Sequence, residues 1–233
     1  MSTRLYLPSA GTSPLPSLTV ASTWWAHSGA SFFRAPLVTE KSNSALTTSV
    51  SRFPDTDTDR LCFAQFVSAP LAEEAAFLSS DVISGGVRCG EAHTNLEAWL
   101  TVCVRAVSGD GSTETGILFS KNHIGLEMTG SVYITNLGSR FLDSPSYCNS
   151  LVIPLGDRLV VEWGASGGSL TNYDVRLRFG DPVGSIDLSS GLGDKDTSAP
   201  WLELTKTLVF EAGSSVVRSV GAGIGSGISS GIT

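Results

Sequence analysis

The sequence predicts an all-β fold, an antiparallel β sandwich or jelly roll, on three observations. Apolar and charged residues alternate without a break from Tyr173 to Phe179, which is typical of a half-buried strand. Glycine-rich turns, such as those at 109–111 and 164–168, separate the alternating runs. Helical periodicity is missing, and the one helix candidate, 71–78, fits a strand equally well.

Six further segments have the same strand character. The run 96–104 is apolar on both faces, with Leu100 and Val102 on one side and Trp99 and Cys103 on the other. A strand of this kind belongs in the middle of a sheet that is covered on both sides. In chain order, the six predicted strands are 60–67, 96–104, 116–120, 131–136, 158–163 and 201–210.

The two ends of the chain differ from the middle. Residues 1–30 contain Pro8, Pro14 and Pro16 and predict an extended N-terminal arm. Residues 31–211 form the predicted sandwich, and residues 212–233 form a tail that holds six glycines and six serines. We expect both ends to contact neighbouring subunits, through Trp24, Trp25, Val216, Val217, Val220, Ile224, Ile228 and Ile232.

Composition indicates an assembling protein. Charged residues make up 16% of the chain, against roughly 25% in a typical soluble domain. We therefore expect part of the surface to be buried against partners. The net charge is −7 and no Lys/Arg-rich run occurs, which argues against nucleic-acid binding. No signal peptide or membrane span is visible, so synthesis in the cytoplasm and no membrane partner are expected.

Catalysis is not expected from the motifs. The pattern Gly-x-Ser-x-Gly occurs at 164–168, with Ser166, and again at 227–231. A nucleophile elbow needs a strand before the serine, a helix after it and a histidine further on. The last histidine, His123, precedes both matches. The sequence therefore predicts no catalytic residue and no enzyme activity.

Cofactor and metal signals are also weak. Asp55, Asp57 and Asp59 alternate in a loop that could wrap a structural cation, but the spacing lacks the glycine and glutamate of an EF-hand, so a solvated loop is favoured. The histidines have no metal-ligand spacing, and no cofactor is expected. The cysteines lie in or beside apolar runs, and we expect buried free thiols, although their spacing leaves three disulfide connectivities open. The histidines are His27, His93 and His123; the cysteines are Cys62, Cys89, Cys103 and Cys148.

Aromatic residues near the N-terminus offer two interpretations. Trp24, Trp25, Phe32 and Phe33 lie in an irregular stretch rather than in an alternating strand. Such side chains can fill a core or a subunit interface, which is the favoured interpretation. Alternatively they could form a platform for sugar rings, as in carbohydrate-binding β sandwiches used for host attachment.

Four segments of the chain are familiar as a set: 4–8, 156–162, 175–181 and 200–204. Together they resemble a group of jelly-roll-like structural proteins of tailed bacteriophages. They occur in the same order, but they are strand and turn signatures without chemistry. The resemblance implies a virion component that decorates the head or belongs to the tail or its fibres. Its implied partners are copies of itself and other virion proteins, with a glycan as a further possibility.

Overall fold

The computed structural model confirms the all-β class. It describes residues 2–24, 26–27, 32–52, 59–93, 96–124, 127–128, 137–142, 145–168, 174–189 and 197–212. None of these residues belongs to a helix that could cross a bilayer. The strands are β1 Thr3–Tyr6, β2 Ala26–His27, β3 Phe33–Pro36, β4 Thr47–Arg52, β5 Asp59–Pro70, β6 Ala75–Phe77, β7 Val82–Glu91, β8 Glu97–Val107, β9 Glu114–Ile124, β10 Gly138–Phe141, β11 Ser146–Tyr147, β12 Leu151–Ile153, β13 Arg158–Gly168, β14 Asp174–Phe179 and β15 Trp201–Leu204.

A seven-stranded antiparallel sheet is built around β7. Strands β10 and β11 pair with one edge of β7. Strands β14 and β15 follow one another along the opposite edge. Strand β4 then pairs with β14, and β1 pairs with β15. The short strands on both sides therefore share one long central strand.

The second sheet has six strands, in the order β2-β5-β13-β8-β9, with β3 also pairing with β5. Strand β13 lies in its middle and pairs antiparallel with both β5 and β8. The short strands β2 and β3 are parallel to β5. The prediction that 96–104 lies inside a sheet is confirmed, because β8 has β13 on one side and β9 on the other.

One continuous apolar core lies between the two sheets. Its largest fully buried side chains include Trp163 and Phe63 from the six-stranded sheet and Phe179 from the seven-stranded sheet. The rings of Phe66 and Phe179 meet edge to face across the interior, with 5.1 Å between their centroids. This inward alternation is the period-two pattern from which the sandwich was predicted.

Two strand predictions require correction. The segment 71–78 contains the short strand β6, which pairs with β12, so the helix alternative is wrong. The predicted strand 201–210 ends at Leu204, because the chain bends at 205–206. Beyond that bend, Leu208 donates its backbone N–H to Thr3 Oγ1 instead of continuing the ladder. The predicted strand 131–136 lies outside the described residues.

Of the predicted N-terminal arm, 1–30, the described residues 2–24 are not set apart from the sandwich. Strand β1 is an integral part of the seven-stranded sheet, and Leu5 and Leu7 are fully buried in the core. The chain then crosses to the other sheet, where residues 13–24 lie against its outer face. We call residues 13–24 the strap. The tail prediction concerns residues outside the described part of the chain, apart from Ala212.

Candidate functional site

The strap covers the outer face of the six-stranded sheet. Leu18 packs on Val67, Val107 and Val160, and Trp24 packs further along the same face. The strap contains two turns. In each turn a backbone N–H donates to the carbonyl three residues earlier: Leu18 donates to Leu15, and Trp24 donates to Ala21. Residues 15, 18, 21 and 24 thereby meet the sheet. The domain consequently has a third layer on one side.

Close approach of the strap depends on a glycine. A Cβ atom at Gly164 would lie 2.8 Å from the Trp24 ring and 2.0 Å from the carbonyl oxygen of Leu61. No side chain fits there without moving both strand β5 and the strap. The indole therefore occupies the space that the missing side chain leaves.

A buried carboxylate fastens the strap. Glu162, on β13, is completely inaccessible to solvent. It accepts hydrogen bonds from the Ala21 backbone N–H (3.1 Å) and Trp24 Nε1 (2.8 Å) of the strap, and from Gln65 Nε2 (2.9 Å) and Arg105 (3.0 Å) of the neighbouring strands. Hydrogen bonds to charged groups are the strong ones in a dry interior.

Two arginines extend this network. Arg105 also pairs with Glu114 at 2.9 Å and donates to the Thr19 carbonyl. Arg34 donates to the Leu18 carbonyl at 3.2 Å, and burial lowers the pKa of its guanidinium. Side chains of the sheet therefore satisfy three backbone groups of the strap, the Ala21 N–H and the carbonyls of Leu18 and Thr19.

The predicted aromatic group does not form an exposed row. Trp24 is 5% exposed and packs against Cys62 and Cys103 of its own chain. Its position agrees with the interpretation that these aromatic side chains fill a core. Phe33 packs against Phe66 and Phe179, and Arg34 covers the ring of Phe32. Trp25 lies outside the described residues, as do the predicted tail contacts Val216, Val217, Val220, Ile224, Ile228 and Ile232.

Ser166 does not have the geometry of a nucleophile elbow. It lies inside strand β13, is 4% exposed, and accepts a hydrogen bond from Thr101 Oγ1 at 2.8 Å. A nucleophile elbow would place it on a sharp turn between a strand and a helix. The second Gly-x-Ser-x-Gly pattern, 227–231, lies outside the described residues.

The candidate cation loop cannot be assembled from the described residues. Asp55 and Asp57 lie outside them, and of Asp59 only the backbone, at the start of β5, is described. Within the described ranges, no group of three or more His, Cys, Asp or Glu residues could hold a metal ion. His123 instead stacks on Trp99, with 4.6 Å between the ring centroids.

All four cysteines are buried free thiols, and Cys62 and Cys103 lie in strands as predicted. Cys62 and Cys103 both face the strap, but β13 runs between their strands. Neighbouring strands lie about 4.8 Å apart, so the two Cα atoms are about 10 Å apart, beyond the 7 Å limit for a disulfide. Burial raises the pKa of Cys89 and Cys103 to about 12.

Within the described residues, most of the exposed large apolar side chains lie in two places, and Tyr147, on β11, is exposed as well. Leu78, Val152, Leu155 and Val209 lie on neighbouring segments at the β6–β12 end, which we call the end patch; Leu155 is 65% exposed. Val183, which is 66% exposed, and Ile186 belong to the loop after β14. With Ala45, Leu46 and Pro182 they line a shallow cleft of about 640 Å³, which we call the loop patch.

An aromatic row crosses the outer face of the seven-stranded sheet. Tyr6 pairs with Trp201, Trp201 with Gly86, and Gly86 with Phe141, so their outward positions line up across four strands. A Cβ atom at Gly86 would lie 2.5 Å from the Phe141 ring, which shows that this ring lies directly over β7. Trp201 and Phe141 line a cleft of about 520 Å³, which we call the Trp201 cleft.

A cluster of four charges borders the Trp201 cleft. Arg4 donates to Asp187 at 2.6 Å and to Glu203 at 2.8 Å, and its guanidinium lies 4.3 Å from the centre of the Trp201 ring. Lys41 Nζ lies 2.7 Å from Asp187 Oδ1. Although burial opposes it, hydrogen bonds from Lys41 and Arg4 hold the pKa of Asp187 below its usual value. Asp187 is therefore ionised at neutral pH.

Sequence reasoning missed this cluster because its members are far apart in the chain. Arg4 and Glu203 were visible only as outward positions of separate strands, and Asp187 lies in an irregular segment. The pairing of β1 with β15 brings the first two together. The signal within the sequence was local: Trp201 interrupts an outward face that otherwise carries polar residues.

Comparisons with known proteins assign no family. No family model matches the chain, and no curated protein matches it. Among solved structures, it is similar to an α-amino acid ester hydrolase (12% identity, TM-score 0.45) and to a CocE/NonD family hydrolase from Staphylococcus aureus (12%, 0.27). Each match covers 88% of this chain, but it covers only 36% of the ester hydrolase chain and 34% of the CocE/NonD family chain.

A third similar structure is that of the infectious bursal disease virus Gx strain, at 11% identity and a TM-score of 0.20. That match covers 82% of this chain and 40% of the viral one. Similarity in this range of identity and TM-score implies no shared function.

Proposed function

We propose that the chain is a non-enzymatic structural subunit of a bacteriophage virion, which associates with copies of itself and with other virion proteins. The observation that carries the proposal is the exposure of large apolar side chains in the end patch and the loop patch. Monomeric soluble proteins seldom concentrate such side chains in water, whereas interaction surfaces do. The resemblance to structural proteins of tailed phages is the reason for proposing a phage virion as the assembly.

The size of the patches suits repeated weak contacts. Full burial of one large apolar side chain contributes about 1.5–3 kcal/mol, and those of the end patch are already partly covered. Association costs about 4–15 kcal/mol in lost freedom of motion. One patch on its own therefore supports a weak contact, and stable assembly follows when each subunit makes several contacts at once.

The end patch and the loop patch are built from different segments. A contact that joins the end patch of one subunit to the loop patch of the next is head-to-tail, and such contacts propagate into rings or filaments. Repeated contacts of this kind suit both head decoration and a tail or fibre structure, and the proposal includes both locations.

The strap on the six-stranded sheet is consistent with a building block. It covers the part of the outer face around Val67, Val160 and Cys103, so this part is buried without a partner. Contacts between subunits are thereby directed to the patches, and to the C-terminal tail if that segment docks as predicted.

Sedimentation velocity over a range of concentrations tests the proposal. We expect the full chain to self-associate, and Val152→Glu/Leu155→Glu or Val183→Glu/Ile186→Glu to weaken association at least tenfold, because each buries a charge in a patch. Thr12→Glu/Ser17→Glu, which adds the same two charges at exposed polar positions, serves as the control. A wild-type chain that stays monomeric at all concentrations, or patch variants that associate normally, would contradict the proposal.

The same assay tests the predicted role of the tail. A chain that ends at Glu211 should keep its melting temperature, since the core lies within residues 5–208. It should also lose part of its self-association. If the shortened chain associates as strongly as the full chain, the tail is a linker and the patches alone carry assembly.

A further inference from the structure

We propose that the Trp201 cleft binds a neutral saccharide. This inference does not depend on the structural role proposed above. It rests on the aromatic row, on the charge cluster that borders it and on the volume of the cleft. The residues that line the cleft are Arg4, Ser84, Gly85, Phe141, Leu142, Asp187, Leu188, Ser189 and Trp201.

The aromatic side of the cleft suits the apolar face of a sugar ring. Phe141 lies over Gly86, next to Trp201 in the same row across the sheet. The guanidinium of Arg4 covers part of the indole, and the rest of Trp201 and the Phe141 ring face the cleft. Two adjacent rings offer a hydrophobic floor to the C–H groups of a pyranose, while its hydroxyl groups point elsewhere.

The polar side of the cleft suits hydroxyl groups. Asp187 Oδ2 accepts hydrogen bonds from Arg4 and Tyr6, and Oδ1 accepts one from Lys41. A carboxylate oxygen accepts two hydrogen bonds, so Oδ1 retains capacity for a ligand hydroxyl. The side chain of Ser84 adds a hydroxyl group, which can both donate and accept.

The balance of charge selects a neutral ligand. The cluster contains two cations, Arg4 and Lys41, and two carboxylates, Asp187 and Glu203. Arg4 is already paired with both carboxylates, so it is not a free guanidinium that would attract a phosphate or a carboxylate. A charged ligand would have to disrupt these pairs, whereas a neutral polyol adds hydrogen bonds to them.

Hydrogen bonds hold two of the groups that line the cleft, Trp201 and Arg4, in place. Trp201 Nε1 donates to the Leu188 carbonyl at 2.7 Å, which fixes the indole, and the two carboxylates fix Arg4. Preorganised groups lose little freedom on binding. The cleft volume of about 520 Å³ lies within the usual range of small-molecule sites, roughly 300–1,000 Å³, and accommodates one or two sugar rings.

Saturation-transfer NMR on the full chain tests this site. The probes are glucose, galactose, mannose, N-acetylglucosamine, maltose and lactose, each at about 10 mM, where a site with a dissociation constant near 1 mM is occupied. We expect transfer to the ring C–H protons of at least one sugar. No transfer to any of the six would overturn the proposal.

Variants then locate the binding. Phe141→Ala and Trp201→Ala should each weaken binding at least tenfold, while Trp99→Ala, a partly buried tryptophan on the other sheet, should leave it unchanged. Melting curves verify that each variant is folded, and Phe141, on the short strand β10, provides the test if Trp201→Ala does not fold. Binding that survives the Phe141 change, or glucuronate binding more tightly than glucose, would overturn the assignment.

Discussion

Removing the carboxylate of Glu162 tests whether the strap is fastened by the buried network. In Glu162→Ala, Arg105 would lose its fully buried partner and keep the ion pair with Glu114 and the hydrogen bond to the Thr19 carbonyl. Trp24 Nε1 and Gln65 Nε2 would lose an acceptor in a region without solvent access. Leaving a buried charge or donor unpaired is far more costly than the net value of the bond itself.

The expected magnitude follows from these contacts. Removing one partner of a buried ion pair costs about 3–5 kcal/mol. A typical domain has a total stability of about 5–15 kcal/mol, so this is a large fraction of it. For a domain of this length, 1 kcal/mol shifts the melting temperature by about 2–4 °C, which predicts a decrease of about 6–20 °C.

Thermal and urea unfolding measure the effect, and limited chymotrypsin digestion reports on the strap. Cleavage after Leu18 and Trp24 should accelerate before the sandwich itself unfolds. The matched control is Glu114→Gln, which removes the more exposed partner of the same arginine and should cost less than about 1 kcal/mol. If Glu162→Ala unfolds like the control and its strap stays protected, the network does not fasten the strap.

Two further predictions concern buried titratable groups. Burial raises the pKa of Cys89 and Cys103 to about 12 and that of Cys148 to about 11, so these thiols in native protein at pH 8 should react slowly with a thiol reagent. Protein that is denatured without reductant should show four reactive thiols, and fewer than four would reveal a disulfide. Burial, reinforced by the charge of Glu127, raises the pKa of Glu91 to about 8. Its contribution to stability is therefore complete below the unfolded pKa of about 4.5 and is lost as the pH rises through 8. In Glu91→Gln, the decrease in the free energy of unfolding between pH 5 and pH 8 should be smaller than in the wild type by at least about 1 kcal/mol. An unchanged pH profile would refute the raised pKa of Glu91.

The sandwich was predictable because its signal is local. Strand β14 alternates along six residues, and the inward members of that alternation, Val175, Leu177 and Phe179, are all buried. The glycine turn predicted at 109–111 separates β8 from β9, but the turn predicted at 164–168 is wrong, because these residues continue strand β13. Even the interior position of β8 could be inferred, since a strand that is apolar on both faces needs cover on both sides.

The strap was not predictable in the same way. Its prolines and serines have the composition of an extended arm, and Glu162 alternates with Val161 and Trp163 like any outward-facing residue of a half-buried strand. Only the fold shows that the outward side of β13 is covered. The burial of a glutamate depends on Arg105 and Gln65, which come from the strands on either side of it.

The strap gives the two faces of the sandwich different roles. It covers apolar and charged groups on the six-stranded sheet, so the Trp201 cleft lies on the sheet face that the strap leaves open. The end patch lies on the β6–β12 segments, and its side chains do not line that cleft. Charges introduced at Val152 and Leu155 should therefore reduce association without changing saccharide binding. Phe141→Ala should reduce saccharide binding without changing association. Because the two surfaces share no residue, failure of one proposal leaves the other standing.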